Sequence, residues 1–232
     1  MAGVITHLVI ANEILKILPG ETLKDVGLFF LGSFAPDAIH AREGYIRAYK
    51  KHTHFRDDIL DRDFEKPENY AMYQKRLVRF ILEHRELKDG LLDLYRGYTV
   101  HILADELFVL NIRKEFCHTM ESFGIDQGDK PFFEYIVTDM NRNDMLLVNQ
   151  YQGIKEIRAK LELTPIYPID GLISAQELRI SREWLLQQHF YRQQELLMPV
   201  YISYERMTEF IQSAARQITE RLSDDIILPR MF

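Results

Sequence analysis

A single cysteine, Cys117, occurs in the 232 residues of the chain. One thiol makes no internal disulfide framework and cannot supply a multi-cysteine zinc site, and a reducing compartment fits it best. Positive charge is also short. Lys and Arg total 29 against 35 Asp and Glu, a formal net charge of −6. Such a chain has no global attraction for phosphate backbones or anionic lipid, so contact with either must be local, and no stable nucleic-acid complex is expected. Long apolar runs are missing. The longest, around residues 26–35, is too short for a membrane-spanning helix, which requires about 20 residues. Asn12, Glu13 and Lys16 break up the only stretch resembling a leader, and the expectation is a soluble, cytoplasmic protein whose mature form starts at Met1. Strand-type alternation and internal repeats are absent too.

Apolar residues make up 47% of the sequence, enough for a substantial core. Their spacing is helical. Val4, Leu8, Ala11, Leu15 and Leu18 recur at three- and four-residue steps, and Pro19-Gly20 ends the pattern. Residues 26–35 predict a short buried helix closed by a structured turn at Pro36-Asp37. Residues 40–67, dense in charge, His and aromatics, predict loop with short helices at most. Further helices are expected over 70–84, 87–116 (with Gly90 and Gly97 as weak points), 131–151 (one helix or a broken pair), 177–190 and 196–222. Pro165, Pro168 and Gly171 mark residues 164–171 as the best internal loop, a candidate boundary between lobes. The fold class is therefore all-α, with one multi-helix domain over residues 1–232.

Chemistry is concentrated in a few positions. His101 and Asp105 are four residues apart, which on a helix puts an imidazole and a carboxylate on one face, one turn apart. That face also carries Leu94, Tyr98, Phe108 and Ile112, so the pair sits in an apolar stripe. A buried carboxylate there needs a metal or a firm partner; the plainer alternative is a His–Asp hydrogen bond that orients the helix. His7 lies on the apolar face of the first helix with Ala11, Ile14 and Leu18. Asp37 follows Ala35-Pro36, where a turn or helix-start aspartate is common. His52-Thr53-His54-Phe55 lies among Arg47, Lys50, Lys51 and Arg56, whose cationic groups suit an anionic substrate. Substrate contact is expected from Lys50, Lys51, His52 and Arg56.

Together, Thr6-His7, Ala35-Pro36-Asp37, His54-Phe55 and Gly97-Tyr98-x-x-His101-x-x-x-Asp105 resemble, in order and spacing, the zinc-dependent phospholipase C family, whose helical fold is shared with single-strand-specific nucleases. The resemblance covers about residues 4–108. It implies that Asp37, His54 and His101 hold one metal ion, that His7 holds a second, and that Asp105 bridges the two. It also selects His54 over His52 as the ligand, because only His54 is followed by an aromatic residue. Two departures stand out. Secreted members use a processed N-terminal tryptophan as a ligand, where this chain reads Met1-Ala2-Gly3. They also complete a third site with later His and Glu residues, whereas the sixth position after Asp105 is Asn111, and His118 and Glu121 lack the spacing. No complete third site is expected, and His118 and His189 are expected to be ordinary histidines.

The implied activity is hydrolysis of a phosphate mono- or diester. One to two divalent ions per chain, zinc first with iron or manganese as alternatives, would activate a hydroxide. Asp105 would bridge and Asp37 would help orient the attacking water. Two other readings compete. One is a helical phosphohydrolase of the histidine-aspartate superfamily, whose adjacent His-Asp dipeptide this chain lacks. The other is a catalytically silent helical interaction module with a structural metal or none.

Overall fold

The protein is described over residues 2–192 and 195–232 by a computed structural model; Met1, expected as the mature start, lies outside those residues. The α-helices in chain order are α1 (Val4–Ile17), α2 (Val26–Phe34), α3 (Arg47–Thr53), α4 (Pro67–His84), α5 (Leu91–Phe108), α6 (Lys114–Ser122), α7 (Lys130–Gln150), α8 (Ile154–Leu163), α9 (Ala175–Leu185) and α10 (Tyr204–Ser223). A 3-10 helix, Ala35–Ala41, follows α2 directly. No strand occurs among the described residues, where one isolated bridge pairs Ile169 with Ile173. The fold is all-α. Among the described residues no helix is long and apolar enough to cross a membrane.

α5 is the central helix, buried from Asp93 to Phe108 except at Arg96. Its closest partner is α2, and two glycines make that approach possible. A Cβ on Gly97 would sit 2.1 Å from the carbonyl oxygen of Phe29, and one on Gly32 would sit 2.0 Å from that of Leu94. Any side chain would therefore force the two backbones apart. Gly97, a weak point for helix propensity, is thus a packing requirement. Gly90 sits at φ 80° just before α5 and ends the preceding turn.

α1 has no side-chain cap of its own, since Gly3 precedes it. The cap comes from α7. Asp144 accepts from the backbone N–H groups of Ile5 and Thr6, each at 3.0 Å, which satisfies two of the four donors that a helix start leaves free. Asp25 caps α2 in the usual local way, accepting from Leu28 N at 2.9 Å.

Two sequence expectations change. The helix expected over 87–116 starts at Leu91, and at Val109–Arg113 it widens into a π-turn before continuing as α6. The helix expected over 196–222 starts only at Tyr204. Pro199 cannot donate within a helix, Ser203 caps α10 through Arg206 N, and Asp139 of α7 takes the N–H groups of Val200, Tyr201 and Ile202 at 2.8, 2.6 and 2.8 Å. The periodic stripe that suggested an earlier start is real only from Tyr204 onward. Residues 164–171 lie between α8 and α9 outside any helix, as expected, and Leu161, Ile169, Ile173 and Leu178 in and around them belong to one core.

Candidate metal centre

Four elements bring the five His and Asp candidates together. His7 comes from α1, Asp37 from the 3-10 helix, His54 from the C-terminal end of α3, and His101 and Asp105 from successive turns of α5. His7, His54, His101 and Asp105 are buried, and the Asp37 side chain is 17% exposed. The α2–α5 glycine contact sets the position of His101, because it brings the Ser33 carbonyl oxygen within 2.9 Å of His101 Nδ1. His54 is held by α3 itself. Its Nδ1 lies 2.8 Å from the carbonyl oxygen of Lys50, one turn back. Phe55 follows in the left-handed region at φ 58° and packs its ring against Phe80 and Tyr98, a conformation that a non-glycine residue keeps only where packing enforces it.

These contacts fix the tautomers. A carbonyl oxygen only accepts, so Nδ1 of His54 and of His101 must carry the hydrogen, which leaves each neutral ring with a lone pair on Nε2. The two Nε2 atoms are 3.2 Å apart. His54 Nε2 is also 3.4 Å from Asp37 Oδ1 and 3.5 Å from Asp105 Oδ2, and His101 Nε2 is 3.9 Å from Asp105 Oδ2. Three acceptor atoms thus surround His54 Nε2, and Asp37, His54 and His101 form one group of atoms close enough to share an ion. Ligands at about 2.1 Å from a tetrahedral ion are about 3.4 Å from one another, close to the separations found here. Ring Nδ1 atoms bound to backbone carbonyls are also the usual outer partners of metal-bound histidine. The residues fit a divalent ion.

A second, smaller arrangement flanks the first. His7 Nε2 is 3.3 Å from Asp105 Oδ1, its ring stacks on that of His101 at 3.6 Å, and neither ring nitrogen has a hydrogen-bond partner. Asp105 Oδ1 also accepts from Ala2 N at 2.9 Å. The two oxygens of Asp105 therefore face different groups. His101 Nε2 is close enough to join either set, but one lone pair serves one ion, so the set around His54 is the more complete.

Electrostatics match that geometry. Burial, and then His7, push His101 well below its usual range against the pull of Asp37 and Asp105. Burial likewise lowers His54. For Asp37 burial acts upward but Lys50, His54 and His101 outweigh it and hold the carboxyl well below its usual range; for Asp105, His7 and His101 do the same. Neutral imidazoles and ionised carboxylates are the forms that ligate.

The expected substrate residues separate. Lys50 Nζ lies 2.6 Å from Asp37 Oδ1, an ion pair without hydrogen-bond geometry, because that oxygen remains without a hydrogen-bond partner. Lys51 donates to the carbonyl oxygen of Ile59. Both lie on the wall of a cavity of about 600 Å³, which His54 and Arg56 also line. His52 is exposed, pairs with Asp57 at 3.0 Å and is not on that wall. His118 is exposed and His189 is buried beside Asp144; neither joins the cluster. Asn111 turns back to the Leu107 carbonyl.

Sequence reasoning missed the far side of the cavity. Arg113, at the end of the π-turn, and Phe133, Ile136, Val137 and Met140 of α7 all line it. No motif marks them, and the π-turn breaks the very periodicity by which a face would be read. No protein-family model, curated protein or solved structure matches this chain.

Proposed function

We propose that this protein is a metal-dependent hydrolase of phosphate esters, with zinc as the first candidate ion and iron or manganese as alternatives. The observation that supports it best is the convergence of His54 Nε2, His101 Nε2, Asp37 Oδ1 and Asp105 Oδ2 as acceptors with Nδ1 of both rings already committed. Two facing lone pairs beside two carboxylates repel one another unless a cation lies among them. On this reading those four residues hold one ion, and His7 with Asp105 Oδ1 holds a second.

Bound there, such an ion supplies Lewis acidity, which lowers the pKa of a ligated water and neutralises charge developing on phosphoryl oxygens. The chain's own residues do the rest. Asp37, whose side chain is partly exposed and whose carboxyl stays ionised beside Lys50, would help orient the attacking water. Lys51 brings positive charge to the cavity that His54 lines and so attracts an anionic ester, while Lys50 on the same wall is paired with Asp37. The order and spacing of the sequence motifs, which resemble those of zinc-dependent phospholipase C, support the same chemistry.

A second reading rests on Lys50. Its ammonium against Asp37 supplies a cation from the chain itself, and would suit a silent helical module that holds no ion at that corner. Elemental analysis of protein purified without chelator separates the two, followed by hydrolysis of a chromogenic phosphodiester with and without chelator. One to two ions per chain and chelator-sensitive hydrolysis are expected. A protein that takes up no metal on reconstitution removes the hydrolase reading.

A further inference from the structure

Arg56 is 5% exposed, yet its guanidinium has no carboxylate partner. Its Nε and Nη2 are buried and donate to nothing, and among the described residues it forms no salt bridge. Aromatic rings are its neighbours instead: the guanidinium carbon lies 4.1 Å from the centre of the Phe64 ring and 5.9 Å from that of Tyr73. Aromatic faces compensate part of the charge but leave the donors in the plane of the guanidinium free. A buried cation with unmet donors is costly and needs a compensating anion.

Arg113, on the wall of the same cavity, repeats part of the pattern. Its Nε is buried without a partner, it makes no salt bridge among the described residues, and it lies 5.6 Å from the Phe132 ring. Both arginines line the same cavity as His54. The charge there is unbalanced. Asp61 is the one carboxylate on the wall, and it pairs with Arg47; despite burial, Arg113, Arg47 and Arg56 together hold it below the usual carboxylate range. One carboxylate thus faces three guanidinium groups, while Lys50 is already committed to Asp37.

We propose that Arg56 and Arg113 form an anion subsite, separate from the His/Asp cluster, which binds a second oxyanion of the substrate, remote from the ester that is cleaved. Guanidinium groups with unmet donors, Nε and Nη2 on Arg56 and Nε on Arg113, suit phosphate or carboxylate oxygens, which arginine meets through paired N–H donors. The proposal deepens the phosphoesterase reading and rests on it for the identity of the scissile bond. It narrows the substrate class to phosphate esters that carry another phosphate or carboxylate. The apolar wall of Ile136, Val137 and Met140 then faces the part of the molecule between the two charged ends.

The test is calorimetric titration of chelator-treated protein with inorganic phosphate, and separately with acetate, at low ionic strength. Saturable phosphate binding is expected in the wild type. Arg56→Met and Arg113→Met should each weaken it at least tenfold, and Arg56→Lys, which keeps charge but loses the fork, should weaken it in part. His101→Ala should leave it in place. Because Arg56 has no carboxylate partner to orphan, Arg56→Met should also keep or raise the thermal midpoint. If that variant fails to fold, Arg113→Met and Arg56→Lys carry the test. Acetate that competes with phosphate assigns a carboxylate to the subsite, and acetate that does not assigns a phosphate. Phosphate binding that is absent from the wild type, or unchanged in both Met variants, overturns the subsite and leaves the hydrolase reading standing. An intact phosphate site in a metal-loaded protein that cleaves no phosphoester does the reverse.

Discussion

Asp144 Oδ1 accepts twice from Thr6, from the backbone N–H at 3.0 Å and from the hydroxyl at 2.9 Å. Its other oxygen takes the N–H of Ile5. One carboxylate on α7 therefore fixes the start of α1, and with it the position of His7 one residue further on. A Cβ at Gly3 would fall 2.4 Å from that carboxylate, so any side chain here would have to displace the cap.

Asp144→Ala should destabilise the protein by about 1–3 kcal/mol, the range for buried donors left without an acceptor. It should also loosen His7 while leaving His54 and His101 in place. Chemical denaturation measures the first effect and metal stoichiometry the second, where the expected result is loss of the second ion before the first.

His54→Ala should remove a metal ion and abolish any phosphoesterase activity, whereas His52→Ala should keep the metal. The structure separates the two rings, with His54 among the cluster and His52 on Asp57 in solvent. Elemental analysis of both variants decides the assignment, and metal lost from the His52 variant alone would reverse it.

Metal removal should lower the thermal midpoint of the wild type, since an ion that binds only the folded state stabilises it by mass action. The same chelator should have little effect on His101→Ala, and His118→Ala should respond as the wild type does. Paired melting curves with and without chelator give the comparison. Equal chelator sensitivity in all three would place the ion elsewhere.

Gly97→Ala should cost about 1–3 kcal/mol, in the range for overpacked cores, because the new methyl meets the Phe29 carbonyl oxygen rather than a side chain that could turn away. The strain should reach the site. Parting α2 from α5 weakens the Ser33–His101 contact, so metal affinity should fall in a variant whose substitution touches no ligand.

Glu177 gives a pH dependence. It accepts from Arg42 and from Ser174 N, closing the capping box of α9 and tying the end of the 3-10 helix that carries Asp37. Burial acts upward on its pKa, but Arg42 and Ser174 outweigh it and lower it. A lowered carboxyl contributes stability above the unfolded pKa, about 4.3, and loses it as pH falls through the folded value. Glu177→Gln should therefore cost about 1 kcal/mol near pH 7, and the difference from wild type should shrink below about pH 4. A gap that stays constant down to acid pH would show that charge is not the source.

Much of this was legible in the sequence because it is local. The three- and four-residue steps of apolar side chains determine α1, α4 and α7, and the spacing of His101 and Asp105 puts both on one face of α5 without reference to the rest of the chain. The start of α10 shows the limit: apolar steps continue back to Val200, but the backbone donors there are taken by Asp139, 61 residues away. Tertiary structure alone decided which lone pairs converge. The Ser33 carbonyl fixes the tautomer of His101 across 68 positions, and the His54 and His101 rings meet across 47. It also paired Lys50 with Asp37 and left Arg56 and Arg113 without carboxylates. Helical period fixes directions only within a few turns. Separations of a few ångströms between distant residues depend on how closely backbones pack, and here that is set by the glycine contact between α2 and α5.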